Sequence, residues 1–222
     1  MQDTPFKGKA SRNDASPAEK PRTRIQKKNR ETILEAALDV FSSDGFHGAT
    51  LDKIAAAAGL SKPNLLYYFA SKEKIYLHLL STLMDTWLDP LRALDDKGDP
   101  VEEIVGYLHR KLEMSRSFPR ESRLFAQEIV QGAPRIKSQI EGELKDLVDQ
   151  TAGTLQAWID EGRMAPVDPH HLIFSIWATT QHYADFDVQV QGILGQSEEA
   201  RFAAADSFLT DFYRRALAPH SA

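Results

Sequence analysis

Residues 50–74 read TLDKIAAAAGLSKPNLLYYFASKEK, and this stretch decides how the N-terminal part of the chain folds. Its apolar residues follow helical spacing over about Leu51–Ala58 and again over about Lys62–Phe69. Gly59 separates the two segments, and glycine readily takes the left-handed backbone conformation that a tight turn between helices requires. Two short helices joined in this way predict a helix-turn-helix, whose second helix enters the major groove of DNA.

The residues around this turn also predict how the helices begin and what they present to DNA. Thr50 and Ser61 stand where N-cap side chains are needed. Asn64 can pair with a base edge, and Tyr67 and Tyr68 can meet phosphates or thymine methyl groups. The predicted DNA-contacting residues are Arg24, Lys28, Thr50, Ser61, Lys62, Asn64, Tyr67, Tyr68 and Lys72. Taken singly, the aromatic residues would fit a core equally well and the basic ones a solvated helix start. Their ordered combination favours DNA binding.

Charge is distributed unevenly along the chain. Residues 1–80 contain 13 Lys and Arg against 9 Asp and Glu, whereas the remainder contains 14 against 23. A positive N-terminal part on an acidic body indicates that only one end meets a polyanion. Residues 1–22 are rich in Lys, Ser, Pro and Ala and cannot bury a core, so we expect a disordered arm there. The DNA-binding domain is predicted over residues 23–70.

The rest of the chain also has a helical pattern, because apolar residues recur at three- and four-residue intervals between proline and glycine breaks. A long helix follows Ser71 and continues through Trp87, so one element connects the DNA-reading part to the body. Further helices are predicted at about 100–117, 120–131, 134–162, 169–191 and 198–217. The predicted fold is all-α, with an N-terminal three-helix helix-turn-helix domain fused to a helical effector-binding and dimerisation body over residues 71–218.

The composition argues against membrane proteins, secreted proteins and metal-dependent enzymes. No stretch has the roughly 20 apolar residues that a membrane span needs, and the polar N-terminus lacks the apolar core of a secretory signal. The absence of cysteine excludes disulfide and thiolate chemistry and suits a reducing cytoplasm. His182 and Asp185 lack the two-histidine spacing of a helical zinc motif. We therefore expect a cytoplasmic protein with no catalytic activity, no metal and no cofactor.

Three segments carry a resemblance to a known family. Phe46-His47-Gly48-Ala49-Thr50, Ala58-Gly59-Leu60-Ser61 and Tyr67-Tyr68-Phe69 resemble the DNA-binding motif of the TetR family of bacterial repressors. The resemblance implies a homodimeric transcriptional regulator whose divergent helical body binds a small molecule. A two-fold dimer implies a near-palindromic operator on double-stranded DNA. The resemblance also places the dimer surface on the last two long helices.

The body resembles family members that respond to pyrimidines, over segments 115–125, 132–134 and 172–186. This resemblance implies a uracil- or thymine-like effector that weakens operator binding, and hence control of pyrimidine metabolism. It assigns two tryptophans and a glutamine to the pocket. Arg116, His182 and Tyr183 are weaker, second-line candidates. The predicted effector-binding residues are Trp87, Trp177, Gln181, Arg116 and Tyr183.

The chemistry of these residue types suits such an effector. Trp177 and Gln181 are four residues apart and share a helix face. A pyrimidinedione has alternating C=O and N–H groups along one edge, which the amide of Gln181 can complement, and indole rings can stack on its faces. On periodicity alone, each tryptophan fits a core better than a pocket. A purine, a drug-like cation or an acyl group as effector stays open, as does a DNA-binding dimer with no effector.

Overall fold

The computed structural model describes residues 24–219, so the arm predicted over residues 1–22 lies outside the described part of the chain. All regular secondary structure within residues 24–219 is helical, as predicted. The elements are α1 (Arg24–Gly48), α2 (Leu51–Ala57), α3 (Lys62–Tyr68), α4 (Lys72–Arg92), α5 (Pro100–Ser117), α6 (Pro119–Val130), α7 (Lys137–Gln139), a π-helical turn (Ile140–Leu144), α8 (Lys145–Asp160), α9 (Pro169–Asp185), α10 (Asp187–Leu194) and α11 (Glu198–Leu217).

Helices α1, α2 and α3 surround a small apolar core at the N-terminal end. Gly45 has a φ of +68°, and this left-handed residue bends the end of α1 away from its axis. Ile54 and Leu65 are fully buried between the helices. Ile75 of α4 belongs to the same core, whereas Leu91 of α4 belongs to the core of the body. Because α4 takes part in both cores, the predicted division after residue 70 stays a prediction.

The body is built around α5, which packs against α4, α6, α9 and α11. Large aromatic side chains fill its core, among them Tyr107, Trp158 and Tyr213. Asp99 caps α5 and Ser197 caps α11, so both helices begin where a side chain accepts hydrogen bonds from free backbone N–H groups. The helices predicted over 100–117 and 198–217 are thereby confirmed.

The helix predicted over 134–162 is interrupted in the structure. Regular helix begins at Lys137 and passes through the π-helical turn Ile140–Leu144 before it continues as α8. A π-helical turn inserts an extra residue per turn, and such turns are frequent at functional sites. The hydrophobic period alone did not reveal it.

The prediction of a single helix over 169–191 was wrong. Helix α9 ends at Asp185, and α10 begins at Asp187 after a change of backbone direction at Phe186. The break places the Asp187 carboxylate 2.6 Å from the guanidinium of Arg201, a side chain only 4% exposed. A buried arginine needs such a counter-ion, and the sequence period does not report this tertiary requirement.

Within residues 24–219, no helix combines the length and the apolar character that crossing a membrane requires.

Candidate DNA interface and effector cavity

The turn between α2 and α3 has the predicted geometry. Thr50 Oγ1 accepts a hydrogen bond from the backbone N–H of Lys53 (3.2 Å), and Ser61 Oγ accepts one from that of Asn64 (3.4 Å). Gly59 has a φ of +65°, in the left-handed region that closes the end of a helix. The two caps and the turn hold α3 in a defined position on α2. The contact of Thr50 and Ser61 with DNA stays a prediction.

The first turns of α1 lie against the C-terminal end of α3. Gln26 Nε2 donates to the hydroxyl of Tyr67 (3.1 Å), and Asn29 Nδ2 donates to the hydroxyl of Tyr68 (2.9 Å). The guanidinium of Arg30 lies 4.1 Å from the centroid of the Phe69 ring. These contacts orient the aromatic residues of α3 and bring the start of α1 to the same end of the domain.

Exposed polar side chains surround α3. Asn64 is exposed, and its side-chain amide makes no hydrogen bond to another residue among 24–219. Lys62 Nζ lies 2.9 Å from Asp52, but both side chains are solvent-accessible, and such a surface pair contributes only about 0–1 kcal/mol. Arg24 and Lys28 are exposed at the start of α1. This end of the domain therefore offers one amide and several cations to a polyanion.

Lys72 is placed differently from the other predicted DNA-contacting residues. Its Nζ donates to the carbonyl oxygens of Phe46 (2.6 Å) and Ala49 (2.8 Å), and it lies 4.3 Å from the centroid of the Phe46 ring. The ammonium group thus satisfies carbonyl groups that the end of α1 leaves without helical partners. These two hydrogen bonds use two of the three N–H donors of the ammonium group, so a phosphate contact by Lys72 would have to use the third.

In the body, side chains from five elements enclose a cavity of about 50 Å³. The lining residues are Met84, Trp87 and Leu88 of α4, Lys111 of α5, Phe125 of α6, Leu144 of the π-helical turn, and Trp177 and Gln181 of α9. The rings of Trp87 and Phe125 lie 5.6 Å apart. The structure therefore brings Trp87, Trp177 and Gln181 together, although α4 and α9 are distant in sequence.

The side-chain polar group of Trp177 is hydrogen-bonded within residues 24–219 of the protein, whereas that of Gln181 is not. Trp177 Nε1 donates to the hydroxyl of Tyr107 (2.6 Å), which fixes the rotation of the indole ring. Burial raises the pKa of Tyr107 above its ordinary value, so this hydroxyl stays neutral. The amide of Gln181 makes no hydrogen bond to another described residue. Its donor and acceptor are available to a ligand.

Lys111 also lines the cavity, although it is not among the predicted effector-binding residues. Its side chain is only 4% exposed, and its Nζ lies 4.7 Å from the centroid of the Trp87 ring. Burial lowers its pKa from the ordinary value to about 8. The sequence held one indication, since Lys111 falls between Leu108 and Leu112 on the buried stripe of α5.

A wider groove of about 690 Å³ runs between α6 and α9 beside the cavity. The two share the lining residues Phe125, Leu144, Trp177 and Gln181. The rim of the groove includes Phe186, which is exposed. The cavity therefore adjoins the protein surface along α9, which gives a ligand a route of entry.

The structure does not bring Arg116 or Tyr183 to this cavity. Arg116 donates to both carboxylate oxygens of Glu113 (2.9 and 3.0 Å) and lines a separate depression against α11. Tyr183 packs on the body core, with its ring 6.0 Å from that of Phe202. Residues two apart on a helix do not share a face, so Tyr183 points away from the side that carries Gln181.

Large apolar side chains are exposed on α9, α10 and α11 and at the break between α9 and α10. They are Phe174, Phe186, Val188, Ile193, Leu194, Phe208 and Phe212. On α11 the rings of Phe208 and Phe212 stack with their centroids 6.2 Å apart. Exposed apolar residues concentrated on successive helices indicate a surface that another protein covers.

Comparison with known proteins finds a family match for the N-terminal helices and another for the body. Residues 33–79 match the family described as bacterial regulatory proteins, tetR family, and residues 80–220 match the family described as YcdC-like protein, C-terminal region. The chain belongs to the TetR family. TetR proteins are transcriptional regulators rather than enzymes, and they bind operator DNA as dimers and respond to small-molecule effectors.

Individual TetR relatives extend this result. The HTH-type transcriptional regulator RutR of Escherichia coli (strain K12) is 48% identical over 174 residues, which cover 78% of this chain and 82% of that protein. The HTH-type transcriptional repressor NicS of Pseudomonas putida is 29% identical over 140 residues, or 61% of this chain and 64% of that protein. The ketosteroid transcriptional regulator KstR2 of Mycobacterium tuberculosis has a TM-score of 0.68 at 21% identity, covering 86% of this chain and 95% of that chain. At this identity KstR2 shows the shared fold alone.

Proposed function

We propose that this TetR-family regulator represses transcription in the cytoplasm until a uracil- or thymine-like effector enters the cavity beside Trp87 and releases the operator. The observation that carries the proposal is the convergence of Trp87, Trp177 and Gln181 on one small apolar cavity. The resemblance of the body to pyrimidine-responsive TetR regulators supports control of pyrimidine metabolism. The 48% identity to RutR of E. coli is consistent with that subgroup.

The walls of the cavity suit a small planar ring. Trp87 and Trp177 supply indole rings, and each aromatic contact with a ring adds about 0.5–1.5 kcal/mol beyond the burial of apolar area. Gln181 supplies an amide whose donor and acceptor complement the imide edge of a pyrimidinedione. The cavity of about 50 Å³ is several times the roughly 10–15 Å³ that one buried water needs, so it has room for a ligand larger than one water.

The position of Trp87 on α4 connects the cavity to DNA. Helix α4 begins at Lys72, shortly after α3, and Ile75 and Tyr76 of its first turns are buried in the N-terminal core. A ligand that displaces Trp87 therefore moves α4, whose first turns share the N-terminal core with Leu65 of α3. In a dimer, this movement takes the two α3 helices away from the spacing of about 34 Å between successive major grooves.

The DNA-facing roles follow from exposure. Asn64 reads a base edge, while Lys62 and Tyr67 of α3 and Arg24 and Lys28 of α1 contact phosphates. The exposed apolar residues of α9, α10 and α11 form the homodimer surface. A two-fold dimer requires a near-palindromic operator, with one half-site for each α3.

A ligand screen tests the proposed effector. The melting temperature is measured by differential scanning fluorimetry with uracil, thymine, adenine, a quaternary ammonium compound and an acyl-CoA. Uracil or thymine should raise the melting temperature, because a ligand that binds only the folded state stabilises that state. Gln181→Ala should abolish this shift, while the matched control Gln156→Ala, at an exposed position of α8, should retain it.

Other outcomes identify the rivals. Uracil binding that persists in Gln181→Ala would place the ligand elsewhere. A shift caused only by the purine, the cation or the acyl-CoA would name a different effector class. A flat response to the whole panel would contradict the proposal and favour a DNA-binding dimer with no effector.

A further inference from the structure

Two phenol hydroxyls at the C-terminal end of α3 each accept a hydrogen bond from a side-chain amide of α1. Gln26 Nε2 lies 3.1 Å from the Tyr67 hydroxyl, and Asn29 Nδ2 lies 2.9 Å from that of Tyr68. Gln26 and Asn29 are three residues apart and therefore lie on the same face of α1. The face of α1 that meets α3 thus carries two hydrogen-bond donors, one for each tyrosine.

These contacts restrict the direction in which each hydroxyl can donate. A phenol hydroxyl has one donor hydrogen, and its oxygen also accepts. The amide N–H occupies an acceptor position of the oxygen, so the hydroxyl hydrogen points elsewhere. Within residues 24–219, neither hydroxyl donates to a protein acceptor. Each tyrosine is therefore held as a donor whose hydrogen is available to a ligand.

Folding alone does not require this arrangement. Tyr67 is 70% exposed, so water can take the place of the Gln26 amide at its hydroxyl with little loss of stability. Phenylalanine at position 67 would keep the ring, and with it the edge-on contact with the ring of Tyr68, whose centroid lies 5.1 Å away. A packing role therefore leaves the hydroxyl and its amide donor unexplained.

The DNA backbone supplies the acceptor that these hydroxyls lack. Phosphate oxygens accept hydrogen bonds from hydroxyl groups, so a hydroxyl held as a donor suits them better than one that is free to rotate. A hydroxyl that accepts a hydrogen bond from an amide is also polarised toward donating its own hydrogen. Tyrosine has only two side-chain torsions, so a contact made by Tyr67 costs less conformational entropy than one made by Lys62.

We propose that Gln26 and Asn29 are positioning residues for operator binding, which hold the hydroxyls of Tyr67 and Tyr68 as donors toward phosphate oxygens of the DNA backbone. These neutral donors fix the register of α3 on the duplex, while the exposed lysines and arginines of α1 and α3 attract the polyanion. The inference rests on the DNA-facing role proposed for Tyr67, and it extends that role to Tyr68 and to the first turns of α1.

The first test measures affinity for an operator duplex, selected from a random library, by fluorescence anisotropy with the full chain and without effector. Two double-mutant cycles combine Gln26→Met with Tyr67→Phe and Asn29→Leu with Tyr68→Phe. The control is Gln156→Met, which removes an exposed amide of α8. Each tyrosine substitution should weaken binding about 10- to 100-fold, because a dimer loses two hydrogen bonds to charged acceptors. Each amide substitution should weaken it about 3- to 10-fold in wild type, but less than about twofold where the partner hydroxyl is already absent.

The outcomes separate this inference from the role on which it rests. Losses that add fully within a pair would overturn the positioning role of the amide in that pair. Tyrosine substitutions that keep operator affinity within about twofold of wild type would overturn the inference together with the DNA-facing role proposed for Tyr67. Both results are independent of the proposed effector, because none is present.

The second test distinguishes positioning from a merely structural contact between α1 and α3. A neutral hydroxyl releases no counterion from the duplex, so the slope of log affinity against log salt concentration should be unchanged in Gln26→Met and Asn29→Leu. If the contact only held α3 in place, its loss would also displace the cations beside α3. The slope would then fall by about one ion or more, and that result would overturn the proposal.

The third test removes the acceptor from the DNA. In a series of operator duplexes, one phosphate at a time is replaced by a methylphosphonate, in which a methyl group takes the place of a charged oxygen acceptor. One position in each half-site should weaken binding of wild type more than that of Tyr67→Phe, and a second position should do the same for Tyr68→Phe. Gln26→Met and Asn29→Leu should lose sensitivity at the corresponding positions. Equal sensitivity of wild type and all variants at every phosphate would contradict the assignment.

Discussion

Replacing Arg135 by methionine should lower the free energy of unfolding by about 3–5 kcal/mol, because it leaves a buried carboxylate without its counter-ion. Glu128 is 0% exposed, and its side chain lies 3.1 Å from Nη1 of Arg135, which is 13% exposed. The guanidinium also lies 3.6 Å from the centroid of the Phe46 ring. The pair therefore connects the turn after α6, in the body, to the end of α1, in the DNA-binding domain.

The magnitude follows from what the substitution removes and what it leaves. The backbone N–H of Arg135 continues to donate to the other oxygen of Glu128 (2.8 Å), and the Tyr76 hydroxyl also hydrogen-bonds this carboxylate, so two neutral donors remain. It loses the charged donor, and Phe46 loses a cation–π contact worth about 0.5–2 kcal/mol. Burial and the Glu128 carboxylate raise the pKa of Tyr76, so that hydroxyl stays neutral and cannot replace the lost positive charge.

The assay is urea unfolding followed by circular dichroism, at one protomer concentration for all variants because dimerisation adds to apparent stability. Arg116→Met is the matched control, since the Arg116–Glu113 pair is 43% and 56% exposed and such pairs contribute about 0–1 kcal/mol. The double variant with Glu128→Gln should recover part of the loss. A cost below about 1 kcal/mol for Arg135→Met, equal to that of the control, would refute the reasoning.

Three further predictions concern DNA binding and pH. Lys72→Met should lower stability by about 1–3 kcal/mol, because two carbonyl oxygens at the end of α1 lose their donor. It should leave the salt dependence of DNA affinity unchanged, and a slope reduced by about one ion without destabilisation would instead demonstrate a phosphate contact. Asn64→Ala should weaken operator binding by about 1–3 kcal/mol and relax preference at one base pair in fluorescence anisotropy, whereas equal weakening for every sequence would exclude base readout. Burial lowers the pKa of Lys111 from 10.5 to about 8, so between these values the unfolded chain holds a proton that the folded chain has released. The stability of wild type relative to Lys111→Met should therefore rise from about pH 8 to about pH 10, and a constant difference in urea unfolding across that range would contradict the burial of the charge.

The elements that the sequence predicted well are those governed by local rules. Capping side chains, proline and glycine breaks and a regular apolar period place α5 and α11 at the predicted bounds. The elements it missed depend on distant partners. The break at Phe186 accompanies the ion pair between Asp187 and Arg201, which are on different helices. The π-helical turn Ile140–Leu144 carries Leu144 into the cavity wall, a requirement that no local pattern expresses.

The residues of the candidate site also differ in how far the sequence predicted them. The family resemblance predicted that Trp87, Trp177 and Gln181 share one pocket. Periodicity alone assigned the two tryptophans to the core. Lys111 was missed because a lysine is ordinarily read as exposed, although its place on the apolar stripe of α5 predicts burial. Arg116 is the opposite case. It was predicted to bind the effector, but in the structure it pairs with Glu113 on the exposed face of α5.

The central claim is that the cavity and α3 are coupled through α4, and one measurement tests it directly. An operator duplex is selected from a random library with the purified protein, and its affinity is measured by fluorescence anisotropy without uracil and with saturating uracil. We expect uracil to weaken operator binding about 5- to 150-fold, and operator to weaken uracil binding by the same factor, as reciprocal linkage requires. Equal operator affinity with and without saturating uracil, in protein that binds uracil, would contradict the account.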